Sequence, residues 1–189
     1  MPNDDFLAVL DFGSQYAHLI AKRIRHLGVY TEIFAPSADT EMLQAAKGII
    51  LSGGPASVFA EDVPAFNPEI LNLPQPILGL CYGHQLMAQH FGGRVANTGQ
   101  GEFGKASLRQ LNPSPLWKDV ADNSQVWMSH QDSVTDLPRD FEIIAKTDGC
   151  PSAALQHRQK PIYTLQFHPE VKDTLCGSEI LANFAEICG

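Results

Sequence analysis

The first half of the chain alternates near-continuous apolar runs with segments of helical periodicity, and this alternation constrains the fold more than any other feature. The runs lie at 6–11, 29–35, 48–52 and 76–80, and each has the length of a strand. Strands that are apolar on both sides belong to sheets covered on both faces, which is typical of parallel sheets. We therefore predict strand–helix–strand units and an α/β fold whose central sheet is largely parallel.

Helices are predicted between these strands, where they would cover the sheet. The apolar residues that recur at helical spacing after the first strand are Tyr16, Leu19, Ile20, Ile24 and Leu27. Gly28 suits the end of this helix. Shorter helices are predicted over 39–46, with Asp39 or Thr40 as N-cap, and near 65–72.

The second half of the chain has a different pattern, of short strand-like segments joined by short turns. These segments lie at 105–111, 124–129, 141–147, 152–157 and 162–167. They predict an antiparallel or mixed extension of the sheet, and the amphipathic segment 176–188 predicts a closing helix. Because no repeat or linker interrupts the chain, we expect residues 1–189 to form one domain.

Composition and charge restrict the classes of function. A net charge of −8 argues against binding to phosphate backbones or acidic membranes, and favours a small substrate or a protein partner. No apolar run reaches the length of a spanning helix, and the start MPNDDF lacks the features of a secretion signal, so a cytoplasmic location is expected. The four cysteines, Cys81, Cys150, Cys176 and Cys188, have no metal-ligand spacing, which predicts reduced thiols and no metal site.

Cys81 differs from the other cysteines in its context. It follows the strand at 76–80, lies between Gly79 and Gly83, and precedes a helical pattern. Flanking glycines remove side chains that would clash where a strand turns sharply into a helix, as in a nucleophile elbow. Free N–H groups at the start of that helix favour a thiolate. The alternative, a buried structural cysteine, fits the other three cysteines better.

A nucleophilic thiol needs a base nearby in space, and His168 is the best candidate among seven histidines. It follows another predicted strand in the motif LQFHPE, with Glu170 two residues further on to orient the ring. His18, His26 and His90 fall in helical patterns. His84 is too close to Cys81 along the elbow helix to face its sulfur.

Two glycines follow the third predicted strand in the motif LSGGP and allow a substrate to approach the backbone closely. The N–H groups of Gly54 and Tyr82 are the predicted oxyanion hole, and Gly53 lies beside the substrate. The alternative for Gly53 and Gly54 is a plain tight turn.

The segments GIILSGGP, PILGLCYGHQLMA and LQFHPE resemble the three signature blocks of the class I (triad) glutamine amidotransferases, in the family's order and at its spacing. Within the family, the segments LDFGSQY, WMSHQDSV, TDGCPSAA and ICG resemble the glutaminase domains of GMP synthetases. The resemblance covers essentially the whole chain. It implies a flavodoxin-like α/β domain with Cys81 as nucleophile, His168 as base and then acid, and Glu170 as the residue that orients His168.

The resemblance also implies the substrate and the partner. The substrate would be L-glutamine, hydrolysed to glutamate and ammonia through a thioester on Cys81. The residues implied in holding glutamine are Gln85, Ser129, His130, Gln131 and Asp132. The ammonia would pass to an ATP pyrophosphatase unit that converts XMP to GMP. That unit would use ATP and magnesium, whereas this chain has no phosphate loop of the SGGxDS type and is expected to hold no cofactor.

The sequence departs from the family pattern in three places: His84 stands where methionine is common, Gln131 stands where many members have glycine, and the segment Gly101-Glu102-Phe103-Gly104 stands where many read Arg-Glu-Tyr-Gly. The alternatives left open are an amidotransferase with another acceptor, a cysteine hydrolase outside the family, and a silent domain that regulates a partner. The sequence is equally compatible with a free-standing subunit or with an excised domain. We expect little glutamine turnover without the partner.

Overall fold

A computed structural model describes residues 5–13, 16–54, 57–59 and 63–189, except for the side chain of Gln100. The elements within those ranges are β1 (Phe6–Leu10), α1 (Tyr16–His26), β2 (Thr31–Phe34), α2 (Thr40–Leu43), β3 (Ala46–Leu51), a 3-10 helix (Pro68–Asn72), β4 (Ile77–Leu80), α3 (Tyr82–His90), β5 (Arg94–Gln110), a second 3-10 helix (Pro115–Trp117), β6 (Ser124–Asp136), β7 (Phe141–Lys146), β8 (Ala154–His157), β9 (Ile162–Leu165) and α4 (Gly177–Cys188).

The strands form one sheet in the order β2-β1-β3-β4-β9-β8-β7-β5-β6. The strands from β2 to β9 in this order are parallel to their neighbours. From β9 to β6 every pairing is antiparallel. The predicted α/β fold, parallel at one end of the sheet and extended by antiparallel strands at the other, is confirmed.

The parallel end of the sheet is buried on both faces, which explains its continuous apolar runs. Leu7 and Val9 of β1 pack in one core cluster together with residues of α1 and α4. Ala8 and Leu10 point the other way, into a second cluster with residues of α2 and α3. Every residue of β1 is therefore buried, as the absence of alternation in its sequence predicts.

Several predicted boundaries are wrong. The helix predicted over 39–46 ends at Leu43, because Ala46 is buried and pairs with Phe6 at the start of β3. The segment near 65–72 forms a 3-10 helix from Pro68, capped by the side chain of Asn67. On α1 the buried residues are Ala17, Ile20, Ala21 and Ile24, while Tyr16 is only partly buried and Leu27 is exposed.

The largest difference lies in β5 and β6, which form a long hairpin rather than two short strands. Their pairing extends from Leu108 and Ser124 to Arg94 and Asp136, with an irregularity between Asn97 and Glu102. The glycine-rich stretch over 99–104 breaks the apolar pattern by which a strand is recognised in sequence. Residues 129–132 consequently lie within a strand and not in a loop.

The four cysteines are unpaired. None of the helices in the described ranges is long and apolar enough to cross a membrane. The same ranges contain no group of three or more potential metal ligands.

Candidate active site

The site lies where three neighbouring parallel strands end. Gly53 and Gly54 follow β3, Cys81 follows β4, and His168 follows β9. Because β4 lies between β3 and β9 in the sheet, Cys81 lies at the middle one of three adjacent strand ends. The structure thus brings together residues that are far apart in sequence.

Cys81 occupies a sharp turn between β4 and α3. Its backbone has φ 50° and ψ −98°, a conformation that is costly for a residue with a side chain. Its N–H donates to the carbonyl of Leu165 at 2.8 Å, which fixes the turn against β9. A Cβ at Gly79 would lie 2.8 Å from the backbone of Gly83, and one at Gly83 would lie 2.7 Å from the carbonyl oxygen of Leu51. Both glycines are therefore required by contact.

His168 and Glu170 form a buried pair. The Nδ1 atom of His168 lies 2.8 Å from Oε1 of Glu170, so the ring donates Nδ1–H to the carboxylate and leaves Nε2 available toward the thiol. Burial lowers the pKa of His168, but hydrogen bonds and attraction from Cys81 and Glu170 raise it more, so the pKa lies well above its ordinary value. This pattern suits a histidine that takes a proton from a thiol and holds it as imidazolium.

The backbone of His168 is held from the β6 side. Its N–H donates to the carbonyl of Trp127 at 3.1 Å. The hydroxyl of Thr174 donates to the carbonyl of His168 at 2.6 Å and accepts from the N–H of Trp127 at 2.9 Å. The ring of Tyr16 packs against the imidazole, with centroids 4.7 Å apart. The base is therefore fixed by contacts from two other elements.

Glu170 is fully buried and is positioned by the elements behind it. Nε of Arg23, on α1, donates to the carbonyl of Glu170 at 2.9 Å. At the start of α4, a Cβ on Gly177 would lie 1.9 Å from the carbonyl oxygen of Pro169. The link from His168 to Glu170 consequently packs between two helices.

Backbone donors lie beside the thiol. Tyr82 is the first residue of α3, where N–H groups have no partner within the helix. A Cβ on Gly54 would lie 3.2 Å from Cγ of Tyr82, so the two residues are in direct contact. Both line the cavity. Ser52 fixes the glycine turn, because its hydroxyl donates to the carbonyl of Gly53 and accepts from the N–H of Phe12.

Gly53 lies directly against the candidate catalytic pair. A Cβ at this position would approach Cε1 of His168 to 3.1 Å and Cβ of Cys81 to 3.7 Å. A side chain here would crowd the ring of His168 and would be in ordinary van der Waals contact with Cys81. This contact gives Gly53 a steric role that its sequence context as a turn residue does not reveal.

A cavity of about 370 Å³ opens beside Cys81 and His168. This volume is within the usual range for small-molecule sites. Its wall includes Gly54, Tyr82 and Gln85 from the parallel end of the sheet, together with residues 129–132 of β6. A thiol, an adjacent base and backbone donors around such a cavity can perform acyl transfer through a thioester.

Residues 129–132 play different structural parts in the β6 wall. The carbonyl of Asp132 accepts from Nε2 of Gln85 at 2.7 Å and from Nδ1 of His130 at 3.0 Å. The carboxylate of Asp132 accepts a hydrogen bond from the hydroxyl of Ser57. Ser129 places its carbonyl 3.6 Å from the sulfur of Cys81, while Gln131 is exposed at the cavity rim.

The two other buried histidines are poorly suited to act as base. Burial lowers the pKa of His84 to about 3, and its Nδ1 lies 2.7 Å from the hydroxyl of Thr164. Burial also lowers the pKa of His130, although the Asp132 carbonyl and Glu102 oppose this effect. His18, His26 and His90 are exposed on helices.

Sequence reasoning missed five residues at or near the site. Tyr16, Ser57 and Phe103 contribute to the cavity wall, and Glu102 accepts from Thr147 and lies 3.9 Å from Nε2 of His130. Gln166 contacts the sulfur of Cys81. Only Gln166 carried a usable signal, because it lies in the strand predicted over 162–167, two residues before His168, and side chains two positions apart in an extended chain lie on the same side.

The fold and the motif matches define the class of protein. Residues 8–188 match the family described as glutamine amidotransferase class-I, and the chain belongs to that family. A glutamine amidotransferase from Thermotoga maritima has the same fold, with a TM-score of 0.71 at 21% identity, and covers 88% of this chain and 76% of its own.

Other relatives belong to a narrower group of proteins. The chain is 50% identical over 191 residues to the Campylobacter hominis GMP synthase (glutamine-hydrolyzing), and 49% identical over 185 residues to that of Trichormus variabilis. These matches cover 100% and 96% of this chain but only 37% and 34% of the relatives. A solved structure from Thermoplasma acidophilum, described as a GMP synthase subunit, matches with a TM-score of 0.85 at 33% identity, over 96% of this chain and 92% of that one.

Proposed function

We propose that this chain hydrolyses L-glutamine to glutamate and ammonia and supplies the ammonia for the synthesis of GMP. The observation that carries the proposal is the convergence of Cys81, His168 and Glu170 at neighbouring strand ends beside one cavity. Family membership supports glutamine as the donor. The names of the relatives support GMP as the final product.

In the proposed first half-reaction, His168 takes the proton of the Cys81 thiol and the sulfur attacks the amide carbon of glutamine. The negative oxygen that forms accepts hydrogen bonds from the N–H groups of Gly54 and Tyr82. His168 then gives its proton to the leaving nitrogen. The carbon–nitrogen bond breaks, ammonia leaves, and a γ-glutamyl thioester remains on Cys81.

The second half-reaction restores the enzyme. His168 removes a proton from a water molecule, whose oxygen attacks the thioester carbon. The carbon–sulfur bond breaks, glutamate is released, and the proton returns to the sulfur. Glu170 keeps Nδ1 of His168 protonated throughout, so that Nε2 always faces the reacting atoms.

The pocket accounts for how glutamine would be held. Both protons of the Gln85 side-chain amide are directed to the carbonyl of Asp132 and to Gln166, which leaves Oε1 to accept from the ammonium group of the ligand. Residues 129–132 form the facing wall. Gly53 leaves room for the ring of His168 beside Cys81, because a Cβ there would lie 3.1 Å from Cε1 of His168.

The partner proposed is an ATP pyrophosphatase unit that adenylates XMP. The chain spans about a third of the length of the bacterial GMP synthases it matches, so those proteins contain a large region with no counterpart here. We propose that this unit uses the ATP and magnesium, that the present chain forms one domain without a cofactor, and that both work in the cytoplasm.

Glutamate release from L-glutamine tests the proposal. It is measured for the wild type and Cys81→Ala, alone and with a GMP synthetase pyrophosphatase unit supplied with ATP, magnesium and XMP. We expect release that increases with the loaded partner and falls by at least about 10⁴-fold in Cys81→Ala. Cys188→Ala, which removes a thiol at the end of α4, is the matched control and should retain activity.

The outcomes separate the alternatives. Release that is unaffected by the partner, at about 10 per second, would contradict control by an acceptor unit. No release under any condition would favour a silent regulatory domain. Release without GMP formation would indicate an amidotransferase with another acceptor.

A further inference from the structure

We propose that Gln166 is a further catalytic residue whose side-chain amide stabilises negative charge on the sulfur of Cys81; this inference rests on the proposed function. Nε2 of Gln166 lies 3.8 Å from Sγ of Cys81, within the range of a hydrogen bond to sulfur. The side chain is fully buried, and its backbone N–H is anchored to the carbonyl of Ala153 at 2.8 Å. A donor held in a buried site acts on a charge more strongly than one in water.

The orientation of the Gln166 amide follows from its neighbours. The carbonyl of Asp132 can only accept, so the group of Gln85 that faces it at 2.7 Å must be the NH₂. That same NH₂ lies 3.1 Å from the Gln166 side chain and requires an acceptor there, which is Oε1. Nε2 of Gln166 therefore points to the sulfur of Cys81.

The sulfur lies between opposing groups. The carbonyl oxygen of Ser129, 3.6 Å from Sγ, favours the protonated thiol because it can accept S–H but repels a thiolate. The amide of Gln166 favours the thiolate because it can only donate from its NH₂. Gln166 thus offsets the unfavourable carbonyl at the moment when the thiol loses its proton.

The same interaction applies at two points of the proposed reaction. The sulfur carries negative charge before it attacks glutamine and again when it leaves the thioester during hydrolysis. In the thioester itself the sulfur is neutral and a weak acceptor. Stabilising the charged forms more than the neutral forms lowers the barriers of both steps, so the effect of Gln166 should fall on kcat and not on KM.

Among the described residues, the other titratable groups around the cavity that holds the sulfur are His168 with Glu170 behind it, Tyr82 on α3, Tyr16 on α1, and His130 and Asp132 on β6. All of them remain in variants of Gln166. A change in thiol reactivity in Gln166→Met is therefore assigned to the loss of the amide, whereas Gln166→Glu also adds a carboxylate beside the sulfur.

The experiment measures the rate at which iodoacetamide alkylates Cys81 as a function of pH, followed by mass spectrometry of the peptide that contains it. The variants are Gln166→Met, which removes the donor, and Gln166→Glu, which keeps the size and the acceptor for Gln85. Gln156→Met on β8 is the control, because Gln156 bonds to Glu142 and Pro113 and not to the site.

We expect the pH of half-maximal alkylation to rise by about one unit in Gln166→Met and further in Gln166→Glu, since a hydrogen bond to a charged group contributes that much. With the loaded partner, kcat for glutamine should fall about tenfold in Gln166→Met, with KM within about twofold. An unchanged alkylation profile in Gln166→Met, in protein whose thermal unfolding matches the wild type, would overturn the proposal. Alkylation needs no glutamine, so this result is independent of whether glutamate release is observed.

Discussion

The parallel end of the sheet and the β5–β6 hairpin contribute to the cavity in different ways. The parallel end supplies the nucleophile, the base and the backbone donors, all at the carboxyl ends of buried strands. The hairpin supplies a wall, formed by residues in the middle of an edge strand. The position of the reacting groups therefore depends on the order of the strands in the sheet. The position of the residues that face them depends on the register between β5 and β6. Substitutions on the two sides should therefore have different effects.

The largest difference should come from two histidines that line the same cavity. We expect His168→Asn to lower kcat for glutamine by about 10²–10⁴-fold, because the base is lost. His130→Asn should leave kcat within a few-fold and raise KM up to about tenfold, since it removes the contacts of this ring with Asp132, Ser133 and Glu102 and so disturbs the wall. Steady-state kinetics with the loaded partner measure both. Equal losses of kcat would show that the wall takes part in the chemistry.

A smaller difference is expected from two glycines that are equally crowded. A Cβ on Gly83 would lie 2.7 Å from the carbonyl oxygen of Leu51, in a central strand, and one on Gly101 would lie 2.8 Å from that of His130, in the edge strand. We expect Gly83→Ala to lower the free energy of unfolding by about 1–3 kcal/mol. Gly101→Ala should cost less than about 1 kcal/mol because an edge strand can move. Urea denaturation provides the test, and a larger loss in Gly101→Ala would contradict the ranking.

A third comparison, between two buried histidines, concerns acid stability. Because the pKa of His84 is about 3 in the folded protein and about 6.5 in an unfolded chain, the unfolded state binds one more proton between those values. Stability should then fall as the pH falls, by about 1.4 kcal/mol per unit between pH 6 and 4. His84→Met should remove this slope. A His130→Gln variant should change it less, because Glu102 and the Asp132 carbonyl oppose the effect of burial.

Unfolding free energies of the three proteins at several pH values provide the comparison. His84→Met also loses the hydrogen bond to Thr164, so its stability at neutral pH is the reference for its own slope. An identical acid slope in wild type and His84→Met would mean that other groups control acid unfolding.

The parallel end was readable from sequence for a physical reason. Continuous apolar runs identify buried strands, and a reactive residue just beyond such a run lies at the ligand-binding edge. Cys81 and His168 are predicted to lie close together on that basis, and the structure places them just after the ends of two adjacent strands, β4 and β9. The boundary errors arose where pairing overrode local preference, as at Ala46, which joins β3 rather than a helix.

The hairpin wall was less accessible to sequence reasoning. Its geometry depends on a register between β5 and β6 that is interrupted between Asn97 and Glu102, and no local pattern encodes that interruption. The proximity of Glu102 to His130 follows from this register. Likewise, the contact of Gln166 with Cys81 requires knowledge that β4 and β9 are neighbours.

The adjacency of β4 and β9 also determines when the site can assemble during synthesis of the chain. Gln166 follows Cys81 by 85 positions, and all of β5 to β8 lies between them. Joining strands so far apart costs about 4 kcal/mol in loop closure, so we expect this ladder to form late in folding. A growing chain that has reached β8 already carries Cys81 but neither Gln166 nor His168. The thiol therefore gains its base and its donor only when the last strand enters the sheet, and incompletely made chains carry an unactivated nucleophile.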